Sequence, residues 1–427
     1  MKLRAGHVAR WRWLSIAAAL CLAACSGRRD DALVFWTFGP EGDAVTRLLP
    51  DFERAHPDIH VEVQQLPLSA AHQKLLTAIA GGTAPDMAQL GNTWLPEMVA
   101  LHALAPLQRR VAASSTVMAS DYFASIWATN LSNGQLYGIP WYVDTRLLFY
   151  RSDLLKQAGF DAPPRDWAEW RRMLAALSHP ARKVYGILLP TNEYEQLLSL
   201  ALQQPDPLLR DDDTRGNFES PGFRRALGFY VDTFRLRQAP DVTNVEVSDP
   251  WDEFGRGVYA FYLSGPWNVA EFRKRLPASE QGDWATAPLP GPEGPGAGLA
   301  GGASLVVFRA SKHRREAWAL IEYLSQPRVQ QRFYRLTGDM PPRRSSWNSP
   351  LLQHDPAMQA FRDQLERVKP TPAVPEWERI AVMMQQVAAR AVAGELTVDQ
   401  AAAEMDRRAD AILAKRRALL GRQVSSR

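Results

Sequence analysis

Four tryptophans stand where an α/β chain offers residues to a ligand. Trp36, Trp94, Trp141 and Trp267 fall at predicted strand ends or in loops, outside any helical stripe. Polar side chains accompany them: Glu41, Asn92, Asp144, Asn268 and Arg343. In open α/β sheets, ligands bind beyond the carboxyl ends of the strands. An aromatic face packs on the C–H face of a sugar ring, while carboxylates, amides and guanidinium groups fix hydroxyls by hydrogen bonds. The combination suits an uncharged, hydroxyl-rich, partly apolar ligand. For these four tryptophans a core role and a site role are both open. Trp167, Trp170 and Trp318 sit at helical spacing and read as core. Asp86 reads as the end of a turn, and Asn192 and Glu193 as further candidate contacts.

The same chain offers little for covalent or metal chemistry. It has no Gly-x-Ser-x-Gly elbow, no His-Glu-x-x-His and no Gly-x-x-x-x-Gly-Lys. Its eight histidines are scattered without metal-ligand spacing. No cofactor and no metal is expected. A secreted glycoside hydrolase stays open as an alternative, because it needs only two carboxylates about 5–9.5 Å apart. With 46 acidic residues, pairs are always on offer. A receptor for a non-sugar solute is the other alternative.

Alternating strands and helices must position these groups. The pattern predicts a buried strand over 32–38, and a helix over 42–55 that Pro50 should bend or shorten. A strand follows at Ile59, Val61 and Val63, then a helix capped by Ser69 and stopped by Gly81-Gly82, then a strand over 87–90. That order implies a parallel sheet in an α/β layer. Asp166 and Ser220 read as caps of two later helices. Residues 185–189, 259–263 and 284–287 read as strands. A Gly/Pro-rich loop spans 288–302, ahead of a strand over 304–308 and a helix over 314–324. Two C-terminal helices are expected, over about 376–393 and 397–418.

The N-terminus carries the expectation for compartment and charge. Lys2, Arg4, Arg10 and Arg12 precede a short apolar run, Trp13 to Leu22, too short to span a bilayer. Leu22-Ala23-Ala24-Cys25 then resembles the lipobox of bacterial lipoproteins. The resemblance implies removal of residues 1–24 and acylation of Cys25, so that a 25–31 linker tethers an exported domain to the membrane. Loss of residues 1–24 takes the formal charge from +4 to 0. A neutral chain has no electrostatic footprint for nucleic acid. Cys21 leaves with the signal, and with Cys25 acylated no thiol remains for a disulfide or a metal.

Six stretches carry a wider resemblance, over about 32–414. They are Thr83-Ala-Pro-Asp86, Leu136-Tyr-Gly-Ile-Pro-Trp-Tyr-Val-Asp144, Ser264-Gly-Pro-Trp-Asn268, Ala287-Pro-Leu-Pro290, Gly301-Gly302 and Thr371-Pro-Ala-Val-Pro-Glu-Trp377. In their order and rough spacing the chain resembles the family 1 solute-binding proteins of bacterial ABC sugar importers, and among them trehalose/maltose receptors. The resemblance implies an α/β, two-lobed periplasmic-binding-protein fold, with a ligand cleft between the lobes and several interlobe crossings. It places residues 32–143 with 298–340 in one lobe, and 144–297 with 341–427 in the other. It implies an oligosaccharide ligand such as the α-glucosides maltose or trehalose, delivery to an inner-membrane permease, a periplasmic location and a monomer. The ligand-binding carboxylate of those receptors falls on Glu41, their tyrosine and aspartate on Tyr142 and Asp144, their glycine pair on Gly301-Gly302, and their cleft arginine on Arg343. Asn92, Trp94, Trp141 and Trp267 complete the expected site. Three departures stand out: an aspartate of those receptors falls on Gly91, and two of their tryptophans on Gly265 and Ala303. Trp94 and Trp267 are placed to compensate from neighbouring positions.

Processing is expected between Ala24 and Cys25. Mass spectrometry of membrane-extracted protein should find an acylated Cys25 as the first residue. An unmodified N-terminus elsewhere would contradict the lipoprotein reading.

Overall fold

The computed structural model describes residues 32–425; the export segment and Cys25 lie outside the described residues. The first elements follow the expected order: β1 (Leu33–Phe38), α1 (Glu41–Ala55), β2 (Val61–Leu66), α2 (Leu68–Ala80) and β3 (Met87–Gly91). β1 lies between β2 and β3, parallel to both. α1 runs through Pro50 to Ala55, because Val45, Leu48, Leu49 and Phe52 are buried on one face and outweigh the lost amide bond. Ser69 does not cap α2. The helix starts at Leu68, and the Pro67 carbonyl takes the Ala70 amide at 3.0 Å.

β4 (Gly138–Asp144) and β5 (Leu147–Arg151) are separated by two residues, yet they belong to different sheets. β5 joins β6 (Tyr185–Leu188), β7 (Tyr259–Ser264) and β8 (Trp284–Ala287) in a second sheet of order β8-β5-β7-β6. β9 (Gly301–Val307) then returns to the first sheet and inserts between β3 and β4, antiparallel to both. The first sheet is therefore mixed, β2-β1-β3-β9-β4, and not wholly parallel as the strand–helix alternation implies. β4 runs out to the other lobe and β9 runs back from it, so the crossings set their direction.

Helices cover both sheets. α3 (Trp167–Leu177), α4 (Tyr194–Ala201), α5 (Pro221–Arg235) and α6 (Trp267–Arg275) belong to the second lobe. The expected caps hold: Asp166 accepts the Glu169 amide at 2.8 Å, and Ser220 accepts the Phe223 amide at 3.3 Å. α7 (Arg314–Leu324) and α8 (Pro327–Thr337) return to the first lobe, and α9 (Pro356–Leu365) packs on β8. The C-terminus forms three helices where the sequence suggests two: α10 (Trp377–Val392), α11 (Val398–Ile412) and α12 (Ala414–Ser425). The break falls at Leu413, which is buried in the second-lobe core.

Three segments cross between the lobes, and they are stitched side by side. Asp144 pairs with Gly301, and Val143 with Gly302. The Val143 amide also donates to the Met340 carbonyl at 2.9 Å. Separate apolar cores lie under the two sheets, while a third, including Phe123, Val143, Leu147, Met340 and Trp347, continues across the crossings. Among the described residues no helix is long and apolar enough to cross a membrane.

Candidate binding cleft

The ends of the two sheets that flank the crossings carry most of the expected residues. From the first sheet and its loops come Glu41 after β1, Asn92 and Trp94 after β3, Tyr142 and Asp144 at the end of β4, and Gly301-Gly302 at the start of β9. From the second come Arg146 before β5, Glu193 and Glu195 after β6, and Trp267 at the first turn of α6, just beyond β7. This is the carboxyl-end location that α/β architecture favours for ligands.

The first-lobe wall is acidic and buried. The Tyr142 hydroxyl accepts from Gln89 Nε2 at 3.0 Å and hydrogen-bonds Glu41. Burial raises the Glu41 carboxyl above the usual range, against the lowering effect of its own amide and Tyr142. Its Oε2 is buried without a hydrogen-bond partner. Asn92 accepts the Ser304 hydroxyl at 3.1 Å, while its Nδ2 is buried and unpartnered. Such atoms are costly to leave unmade, which marks them as places where a ligand can supply the bond.

The second-lobe wall is organised by Arg146, which the expected set leaves out. Its guanidinium lies 3.4 Å from Asp144 and 3.3 Å from Glu195, and 4.7 Å from the centroid of the Trp267 ring. It supports the indole from one side by a cation–π contact. Trp267 is nonetheless 42% exposed, so the rest of its surface is open. Burial raises the Asp144 carboxyl, Arg146 counteracts this, and Glu195 adds to the rise. Glu193 is raised by burial too, and it accepts Gln196 at 2.9 Å. Glu378, on α10, hydrogen-bonds Thr93 and so links the C-terminal helices to the loop after β3. A salt bridge from Asp144 to Arg146, two residues on, is open to the sequence and is present, whereas the Arg146 contacts to Glu195 and Trp267 and the place of Glu378 come only from the fold.

Two of the departures have a steric reading. A Cβ at Gly91 would meet the Trp94 ring at 3.3 Å, and a Cβ at Gly265 would overlap the Trp267 ring. Each glycine leaves the space that a neighbouring indole fills. At the glycine pair, a Cβ on Gly301 would collide with Asp144 Oδ1. Gly302 has φ +118°, with no room beside the Tyr142 carbonyl.

Two expected site residues lie elsewhere in function. Trp141 is 1% exposed and packs 4.6 Å from Phe333, centroid to centroid, and 6.0 Å from Phe35; it is core. Arg343 is 4% exposed. It pairs with Asp121 at 2.7 Å and donates to the Ser325 carbonyl at 2.5 Å. Burial works against ionised Asp121, yet hydrogen bonds from Ser345 and Arg343 hold its carboxyl below the usual range. Arg343 thus braces the third crossing, and its guanidinium is not free for a ligand. Trp36 also lies off the cleft, lining an open pocket of about 770 Å³ under the Lys74 ammonium. Asn268 is buried, donating to Ser264 and accepting Trp251 Nε1 at 2.7 Å each. Asp86 is structural, accepting the Val34 amide at 2.9 Å and the Ser311 hydroxyl at 2.7 Å. Asn192 pairs with Asn244 on the surface. Among the described residues no group of three or more His, Cys, Asp or Glu side chains is arranged to hold a metal ion.

Residues 38–331 match the family of bacterial extracellular solute-binding proteins. The chain belongs to that family. It is 54% identical to the sugar-binding protein MalE from the phytopathogen Xanthomonas citri, with a TM-score of 0.88 over 91% of this chain and 99% of that one. It is 25% identical to the galactooligosaccharide-binding protein of Bacillus subtilis, over 91% of this chain and 94% of the relative. It is 23% identical to the diacetylchitobiose binding protein DasA of Streptomyces coelicolor, over 84% and 87%. As a member of a solute-binding family the chain is a binding protein of the extracytoplasmic space and not an enzyme, which sets the hydrolase alternative aside.

The Arg343–Asp121 pair yields a stability prediction. Arg343→Ala leaves a half-buried carboxylate without its cation and should lower the unfolding free energy by about 3 kcal/mol. Urea denaturation checks this against the surface control Arg407→Ala, which should be neutral. Equal midpoints would contradict the bracing role.

Proposed function

We propose that this solute-binding protein captures an oligosaccharide, an α-glucoside such as maltose or trehalose, between its two lobes and delivers it to an ABC permease in the inner membrane. On this reading residues 32–143 with 298–340 form one lobe and 144–297 with 341–427 the other. The acylated Cys25 tethers the mature chain, a monomer, to the membrane on the periplasmic side. The observation that carries the ligand class is the pairing of Asp144 and Trp267 through Arg146: a half-exposed indole beside a carboxylate, both held by one buried guanidinium. That surface offers stacking for C–H faces and an acceptor for hydroxyls. The likeness to the Xanthomonas citri sugar-binding protein supports the same class. Glu41, Asn92, Trp94, Tyr142 and the Gly301-Gly302 backbone supply the opposite wall.

A thermal-shift screen over maltose, trehalose and some twenty other sugars should find ligands that raise Tm by mass action. With the best of them, calorimetry should show Asp144→Ala and Trp267→Ala each weakening binding at least about tenfold, since a lost partner leaves a buried hydroxyl or ring face uncovered at about 1–3 kcal/mol. Arg407→Ala should bind as wild type. Unchanged affinity in both cleft variants would place the site elsewhere.

A further inference from the structure

Asp339 is a carboxyl at the waist to which the family resemblance gives no role. α8 ends at Gly338, whose φ of +83° turns the chain out of the helix, and Asp339 follows directly. The next residue, Met340, is hydrogen-bonded through its carbonyl to the Val143 amide, which fixes Asp339 beside the end of β4 that carries Tyr142 and Asp144. α8 also packs on α1, which begins with Glu41. Asp339 is therefore pinned where the third crossing meets the acidic wall. Its amide donates to Thr337 Oγ1 at 3.0 Å, but its Oδ2 is buried with no hydrogen-bond partner. Glu41 Oε2 is in the same condition.

We propose that Asp339 is a further binding determinant of this cleft: with Glu41 it forms a carboxyl pair that retains one proton, and ligand affinity depends on that proton. Two carboxylates whose charges act on one another away from water resist ionising together. The groups acting on Asp339 agree in direction. Burial raises its carboxyl, the Glu41 charge across from α1 raises it further, the Thr337 hydroxyl opposes this, and the Asp144 charge from β4 adds to it; the result is pushed up to about 8. Tyr142, hydrogen-bonded to Glu41, is held neutral by burial and by the charges of Glu41, Asp339 and Asp144. At neutral pH the proton stays on the pair, and the remaining carboxylate acts as acceptor for the ligand. Above the transition, repulsion falls on the crossing segments that must bend for the lobes to close. Asp339 is a positioning residue in this scheme, acting through Glu41.

The folded carboxyl lies above its ordinary value of 3.8, so the protonated form is favoured in the fold. The associated stability is fully present below about pH 4 and is lost as the pH rises through about 8. The Tm of the wild type should therefore fall, relative to that of Asp339→Asn, between pH 5 and pH 9. The amide keeps the shape and cannot ionise. In the second arm, calorimetry with maltose, trehalose and maltotriose is run at pH 6.5, 8 and 9.5. Wild-type affinity for the tightest of them should fall at least about fivefold, while Asp339→Asn stays within about twofold across the range. This inference rests on the oligosaccharide reading, and the outcomes separate the two. If none of these sugars binds the wild type, both fall. If sugars bind and the two proteins share one pH course, or their melting curves run parallel from pH 5 to 9, this inference alone is overturned.

Discussion

Everything in this molecule hangs on three strands of backbone lying against one another at the waist. β4 leaves the first lobe at Asp144, β9 enters it at Gly301, and the chain leaves again through Met340; the three are joined by the Asp144–Gly301 and Val143–Gly302 pairings and by the Val143–Met340 hydrogen bond. On the proposed closure, a hinge of so few torsions would leave the sheets on either side rigid while the angle between them changes. It also explains the glycine pair: the strands approach so closely that neither Gly301 nor Gly302 has room for a Cβ. Because the crossings carry Tyr142, Asp144, Arg146 and Asp339, the residues that would feel a ligand are the residues that would move.

Charge is distributed over the cleft to match that role. Glu41, Asp144, Asp339 and Glu193 are all raised by burial, and Arg146 is the cation that sits among them. Burial works against the Arg146 charge, and Glu195 and Asp144 sustain it. A wall of carboxyls that burial raises, around a single guanidinium, suits hydroxyls, which both donate and accept, better than it suits an anion.

Some of this was legible in the residues alone. The β1–α1–β2–α2–β3 run shows clear periodicity, and the Asp166 and Ser220 caps follow from local chemistry. β4 and β5 are nearly continuous apolar sequence across a two-residue gap, so periodicity cannot show that they belong to different sheets. Glu41, Tyr142 and Asp144, marked by the family resemblance, lie near strand ends beside the crossings. The expectation failed at Trp141, because alternation along β4 turns neighbouring residues to opposite faces. It failed at Arg343, because an arginine after two prolines looks the same whether it faces a ligand or Asp121. Asp339 and Glu378, and the Arg146 contacts to Glu195 and Trp267, acquire a role only from long-range packing. The two indoles that fill the space beside Gly91 and Gly265 show how a family pattern can lose residues and retain an aromatic lining.

The central claim is that a sugar closes two rigid lobes about this waist. Small-angle scattering of the protein with and without the sugar that calorimetry shows to saturate it tests this most directly. The account predicts a smaller radius of gyration in the bound state. An unchanged scattering profile at demonstrated saturation would contradict it.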